Sequence, residues 1–219
     1  MNIPLKDVFV LIILPLLIFF VLFIGLVVVF IVLMIQYKKY KFLEKYKDEE
    51  WLPVVNEEGN VVGKSPRSIC HNGSKILHPV VHIHIVNKER KLLLQKRSLT
   101  KDIQPGKWDT AIGGHISFGE SLEVAIERES KEELGINIDF SKLIPFNKYI
   151  FESDIEKEFV FSFIYLYDGE IDFQKDEIDE VSFFNSDEIL RLIDMDLVTQ
   201  NFIKEFSYLR NSKFYSYFA

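Results

Sequence analysis

The chain has one cysteine in 219 residues, Cys70. An internal disulfide is therefore impossible, and the fold cannot rest on oxidation. Alanine is absent until Ala111, so a small-residue cleavage site of the kind that ends a secretory signal is missing from the first hundred positions. Internal repeats and low-complexity tracts are also missing. The composition excludes a disordered protein, a disulfide scaffold and a multidomain machine. The longest absence is of charge: none occurs between Val8 and Ile35, a run of 28 residues. Without that run and its flanks, roughly 170 residues remain, enough for one hydrophobic core and not two.

As a helix, the run would be about 42 Å long against a hydrocarbon core of about 30 Å. Pro15 is expected to divide it and leave Leu16 to Ile35 as a 20-residue span. A buried core helix would be shorter or amphipathic, and a signal peptide would carry a shorter apolar stretch. The expectation is a retained single-pass anchor over 1–37. A basic juxtamembrane linker over 38–50 and a catalytic domain over 51–219 would follow it. Lys6 and Asp7 cancel before the run, whereas Lys38, Lys39, Lys41, Lys45 and Lys47 follow it. The positive-inside rule then puts the C-terminal body in the cytoplasm. Tyr37, Tyr40 and Tyr46 suit the headgroup level or are simple filler. Gly25 has no small partner four residues away, so there is no helix-pairing motif.

Residues 48–219 carry 20 basic and 31 acidic side chains, a net of −11. That argues against a nucleic acid polymer as partner and suits a protein that gathers divalent cations. Strands are expected at Trp51–Val55, Asn60–Gly63, Val80–Val86, Lys91–Arg97, Trp108–Ile112, Lys148–Glu152, Glu158–Tyr167 and Val181–Phe184. Val80–Val86 and Lys91–Arg97 read as a hairpin. Helices are expected at Ser121–Leu134, from Asn185 or Ser186 towards Leu192, and at Leu197–Leu209. Strands around one central helix, with more helix at the end, predict an α/β sandwich.

The chemistry concentrates in Gly114 to Ile136, GHISFGESLEVAIERESKEELGI. Glu129, Glu132 and Glu133 stand at i, i+3 and i+4 and share a helical face. Three carboxylates that close repel unless a cation lies among them, and oxygen-rich clusters suit Mg²⁺ or Mn²⁺. A solvated acidic helix face is the bland alternative, and the spacing alone leaves both open.

The segment resembles the Nudix box, G-x5-E-x7-R-E-U-x-E-E-x-G-U, where U is a bulky aliphatic residue. Gly114, Glu120, Arg128, Glu129, Glu132, Glu133, Gly135 and Ile136 fall in register over 23 residues. Ser130 departs from the pattern at an inward-packing position. The resemblance implies a Nudix α/β/α sandwich with a mixed sheet, and a hydrolase that cleaves a diphosphate linkage with metal-activated water. It implies Mg²⁺ or Mn²⁺ on Glu129, Glu132 and Glu133, with Glu120 assisting and Arg128 orienting a carboxylate. The base stays open among Glu132, Glu133, Glu177 and Glu180. Similar proteins are commonly dimers, so a homodimer is an expectation.

Beyond the box, Trp51 to Phe184 is similar to the Nudix branch related to isopentenyl-diphosphate isomerase. By that similarity His71, His78, His115, Glu156 and Glu158 form a second divalent-metal site, and Arg97 and Lys101 bind diphosphate. His82 and His84 read as plain sheet residues. The catalytic cysteine of the isomerases would fall at Gly113, and those enzymes lack the Glu that Glu129 supplies. The chain therefore looks like a hydrolase on an isomerase-like framework, with an isomerase-like enzyme and a non-catalytic ligand sensor as rivals. Trp108, Phe118 and Tyr149 are candidates to stack on a base or line an isoprenoid pocket. Each is more simply core.

Overall fold

The computed structural model describes residues 9–101 and 103–217. Lys6, Asp7 and Val8, which entered the orientation argument and the start of the apolar run, lie outside the described residues. The chain divides into two units, 1–49 and 50–219.

In the first unit a π-helical turn, Phe9–Ile13, leads into α1, Leu14–Lys45. Pro15 stands in the first turn of α1, where its missing N–H costs nothing. The helix therefore begins at Leu14 and does not break. It also continues past Ile35 through the lysines to Lys45, so most of the expected linker is helical. The segment Leu14–Ile35 spans about 33 Å, enough for a hydrocarbon core. None of the described side chains of α1 is buried.

The second unit is a mixed β-sheet between helices. A short antiparallel pair comes first, β1 (Trp51–Val55) and β2 (Val61–Pro66), closed by Gly59 N–H donating to Asn56 C=O at 2.9 Å. One helical turn, α2 (Arg67–Cys70), leads to β3 (Leu77–Val86), all ten residues of which are buried. Then come β4 (Leu92–Arg97), β5 (Trp108–Thr110), β6 (Ile112–His115) and α3 (Leu122–Leu134). They are followed by β7 (Ile144–Glu152), β8 (Lys157–Leu166), β9 (Ile178–Phe184), α4 (Ser186–Asp194) and α5 (Gln200–Arg210).

The sheet runs β5-β4-β3-β8-β7, with β6 also on β3 and β9 also on β4. β3 and β8 are parallel over their full length, and the other pairs are antiparallel. The expected β3–β4 hairpin forms, but it pairs only beside its turn: the two strands share one registered pair, Val86↔Leu92, and β4 takes β9 and β5 as its longer partners. Trp108–Ile112 divides into β5 and β6, and β7 begins at Ile144.

Alternation along β3 decides what each face meets. Val81, Ile83 and Ile85 pack with Ile126 and Leu134 of α3. Val86, Leu92 and Leu94 pack with Ile189, Phe202, Phe206 and Leu209 of α4 and α5. His82 and His84 belong to this second face.

Candidate functional site

The acidic segment folds around α3. Ser121 caps it, accepting from Val124 N–H at 3.3 Å, and Gly135 ends it in the left-handed conformation at φ 67°. At the other end of the motif, Gly114 on β6 has no room for a side chain, because a Cβ there would collide with the Glu129 carboxylate. The two glycines bring strand and helix together.

Arg128 braces the acids. Its Nε and Nη2 donate to the two oxygens of Glu120, both at 2.9 Å, and Nη1 donates to Glu129 at 2.7 Å and Glu132 at 3.3 Å. Nη2 also donates to the His115 carbonyl at 2.9 Å, which ties helix, loop and β6 together. With Ser117 N–H on it as well, Glu120 is a brace of the loop. Its carboxyl is held below its usual range by the Arg128 hydrogen bond, with the Ser117 N–H adding. Glu132 is exposed, Glu129 half-buried and Glu133 buried.

Glu133 accepts from Gln95 Nε2 at 3.0 Å and Gly113 N–H at 3.1 Å. Burial pushes it up to about 8, and the Glu129 charge adds to that. Glu129 is also raised, by burial against the opposing Arg128. Carboxylates that stay buried with so little positive charge fit a divalent cation, so the donor set suits Mg²⁺ or Mn²⁺. Ser130, the departure from the pattern, is fully buried and returns its hydroxyl to Ile126 C=O at 2.6 Å.

Across the cavity, His71, His78 and His115 offer ligand atoms within 4.8 Å of one another. His71 and His78 turn Nδ1 to the carbonyls of Arg67 and Ile76, at 2.8 and 2.9 Å. With Nδ1–H donated there, Nε2 is left as a lone pair. His78 Nε2 is buried with no partner, while His71 Nε2 faces His115 Nε2 at 3.1 Å and Glu156 at 3.2 Å. Burial pushes His78 down to about 4 and His115 well below its usual value, which keeps the rings neutral. Lone pairs converging on a carboxylate fit a cation. Glu158 stands in register with His78 and is buried, but Asn201 Nδ2 donates to it at 2.9 Å.

Both walls line one cavity of about 340 Å³, together with Arg97, Lys101 and Glu177. Arg97 is paired with Asp109 at 3.3 Å and Lys101 with Glu177 at 2.8 Å. Glu180 is exposed on β9 opposite Lys96 and outside the cavity lining. Trp108, Phe118 and Tyr149 do not line the cavity either: Trp108 is core, Phe118 is exposed under Lys64, and Tyr149 donates to Asn201. The lining also includes residues that the sequence reading did not single out. Among these are Gln95, Asp109, Thr110, Thr199 and Asn201, together with His82, which had read as a sheet residue only. The contributions from the start of α5 had no local signal, because Thr199 reaches Asp109 and Asn201 reaches Glu158 only through the sheet.

The NUDIX domain profile matches residues 76–206. An uncharacterized Nudix hydrolase from Clostridium acetobutylicum is 33% identical over 157 residues, covering 67% of this chain and 75% of that protein. An isopentenyl-diphosphate Delta-isomerase from Agromyces mediolanus is 32% identical over 101 residues, covering 46% of this chain and 49% of the isomerase. The crystal structure of DR0079 from Deinococcus radiodurans superposes with a TM-score of 0.63 at 24% identity, covering 72% of this chain and 98% of that one.

Proposed function

From the premise that the chain belongs to the Nudix family, and so to hydrolases acting on diphosphate-containing substrates, we propose a membrane-anchored diphosphatase dependent on Mg²⁺ or Mn²⁺. The observation that carries this reading is the convergence of Glu129, Glu132 and Glu133 on a cavity that also holds Arg97 and Lys101. Glu129, Glu132 and Glu133 would hold the cation, which when bound offsets diphosphate charge and activates water. Arg128 keeps the carboxylates aligned through its bonds to Glu120 and Glu129. Arg97 and Lys101 exchange their acidic partners for diphosphate oxygens, as charge-assisted donors. The base lies among Glu132, Glu133 and Glu177, which line the cavity, and not at Glu180.

The lining favours a polar substrate. Val80, Ile103 and Phe151 are its only large apolar members among the described residues. A nucleoside or sugar diphosphate finds hydrogen-bonding partners there, whereas a prenyl chain finds no apolar slot. Gly113 in place of the isomerase cysteine, and Cys70 fully buried outside the lining, weigh against the isomerase. The three histidines and Glu156 support a second divalent cation. The length of α1, its apolar stretch to Ile35 and the lysines that follow that stretch support a single-pass anchor with the catalytic domain on the cytoplasmic side.

The test is product release by the full chain in detergent with Mg²⁺ or Mn²⁺. The panel would hold nucleoside triphosphates, dinucleotides, nucleotide sugars and prenyl diphosphates. Cleavage of a nucleotide or nucleotide sugar is expected, with Glu133→Gln slower by ~10²–10⁴-fold. Silence across the panel with Mg²⁺ binding intact would replace the enzyme with a ligand sensor.

A further inference from the structure

Glu205 on α5 is fully buried within the core of Phe202, Phe206 and Leu209. One of its oxygens lies 2.9 Å from His82 Nδ1 and 3.3 Å from His84 Nε2. A buried ion pair is a poor stabilising device, since apolar residues of similar volume often serve as well or better. No part of the Nudix chemistry described above uses this one. Its two histidines differ. His84 is enclosed, with Nδ1 against the Thr110 hydroxyl at 3.2 Å. His82 lines the cavity, and since Nδ1 belongs to Glu205, Nε2 is the nitrogen left for the cavity.

Gly113 fixes where that nitrogen lies. A Cβ on Gly113 would stand 3.5 Å from His82 Nε2, and the N–H of the same residue donates to Glu133 at 3.1 Å. One glycine therefore separates His82 from a carboxylate of the Nudix helix. A group resting on Gly113 reaches both. Burial opposes a proton on His82, but Glu205 from α5, with Glu158 from β8 and Asp109 from β5, outweighs it and pushes the ring up to about 9. Both nitrogens then carry hydrogens.

We propose that His82, oriented by Glu205, contacts the substrate, its Nε2–H donating to a phosphoryl oxygen of the diphosphate beside Gly113. The contact rests on the hydrolase reading. It adds a residue from the α5 face of the sheet to a site otherwise read from α3. His82 is the binding group, and Glu205 is its positioning residue.

The probe is imidodiphosphate with Mg²⁺, titrated calorimetrically into the full chain in detergent beside steady-state rates. His82→Gln is expected to weaken binding about tenfold or more. The double variant His82→Gln with Glu205→Gln leaves no unpaired buried charge. It should keep the wild-type circular dichroism spectrum and bind as weakly as His82→Gln. Glu205→Gln alone should move the alkaline limb of the pH–rate profile to lower pH, because His82 loses the anion that holds its proton. A folded double variant that binds and turns over like the wild type overturns the contact and leaves the hydrolase standing. A wild-type chain that neither binds imidodiphosphate nor cleaves any diphosphate overturns both.

Discussion

The two walls of the cavity are built on opposite plans. The α3 wall comes from consecutive residues, Gly114 to Ile136, and carries its own scaffold: a capping serine, two glycines and an arginine that reaches Glu120, Glu129 and Glu132. The histidine wall draws His71 from the end of α2, His78 and His82 from β3, His115 from β6 and Glu158 from β8. Its His82–Glu205 pair is compensated across the fold, and His78 Nε2 is left without a hydrogen-bond partner. A wall made from one segment concentrates its dependence in one brace. A wall made from many elements depends on sheet register.

The sharpest break of this contrast is at Arg128. Arg128→Ala removes the tie among Glu120, Glu129 and the His115 carbonyl, and kcat is expected to fall by ~10²-fold or more through misplacement of the carboxylates. Arg128→Lys should not restore it, because an ammonium cannot reproduce the bidentate fork on Glu120. Recovery by lysine would show that charge alone matters on this wall.

One group from each wall, Glu133 and His78, should also answer pH in opposite directions. Glu133 is raised from 4.5 to about 8 by burial, so without metal the folded chain holds that proton longer than the unfolded chain does. Its contribution is complete below about 4.5 and is lost as pH rises towards 8. His78 is lowered from 6.5 to about 4, so its contribution is complete above 6.5 and is lost as pH falls towards 4. Thermal unfolding of the metal-free chain from pH 4 to 9 checks this. Glu133→Gln should reduce the alkaline loss and leave the acid side unchanged, and His78→Phe should reduce the acid loss and leave the alkaline side unchanged. Saturating Mg²⁺ should offset the alkaline loss, because it binds the ionised carboxylate. A variant that flattens both sides would mean that the walls titrate as one unit.

The smallest effect is expected at Ser130. Its hydroxyl turns back to Ile126 C=O, so Ser130→Ala should change stability by less than about 1 kcal/mol and leave kcat unchanged. A large loss in denaturant unfolding would show that the departure from the aliphatic pattern has a structural purpose.

Much of the fold was legible because its signals are local. Ser121 and Gly135 bound α3 as capping chemistry requires, and the alternation of β3 and β8 marked them as strands. The pairing of β4 with β9 was not legible, since it is decided by which faces bury together and not by chain proximity. For the same reason Lys101 and Arg97 were legible as cations, while their pairing with Glu177 and Asp109 was not. The acidic partner of His82 stands 123 residues away, on a helix whose periodicity says only that it is amphipathic.

By itself the sequence determined the apolar run, most of the strands and helices and the shared face of Glu129, Glu132 and Glu133, because each is written within a single turn, strand or helix. Only the tertiary structure decided which cations face which acids and that Glu205 lies behind His82. Those depend on register and packing between segments far apart in the chain, where spacing carries no information and burial sets the charge.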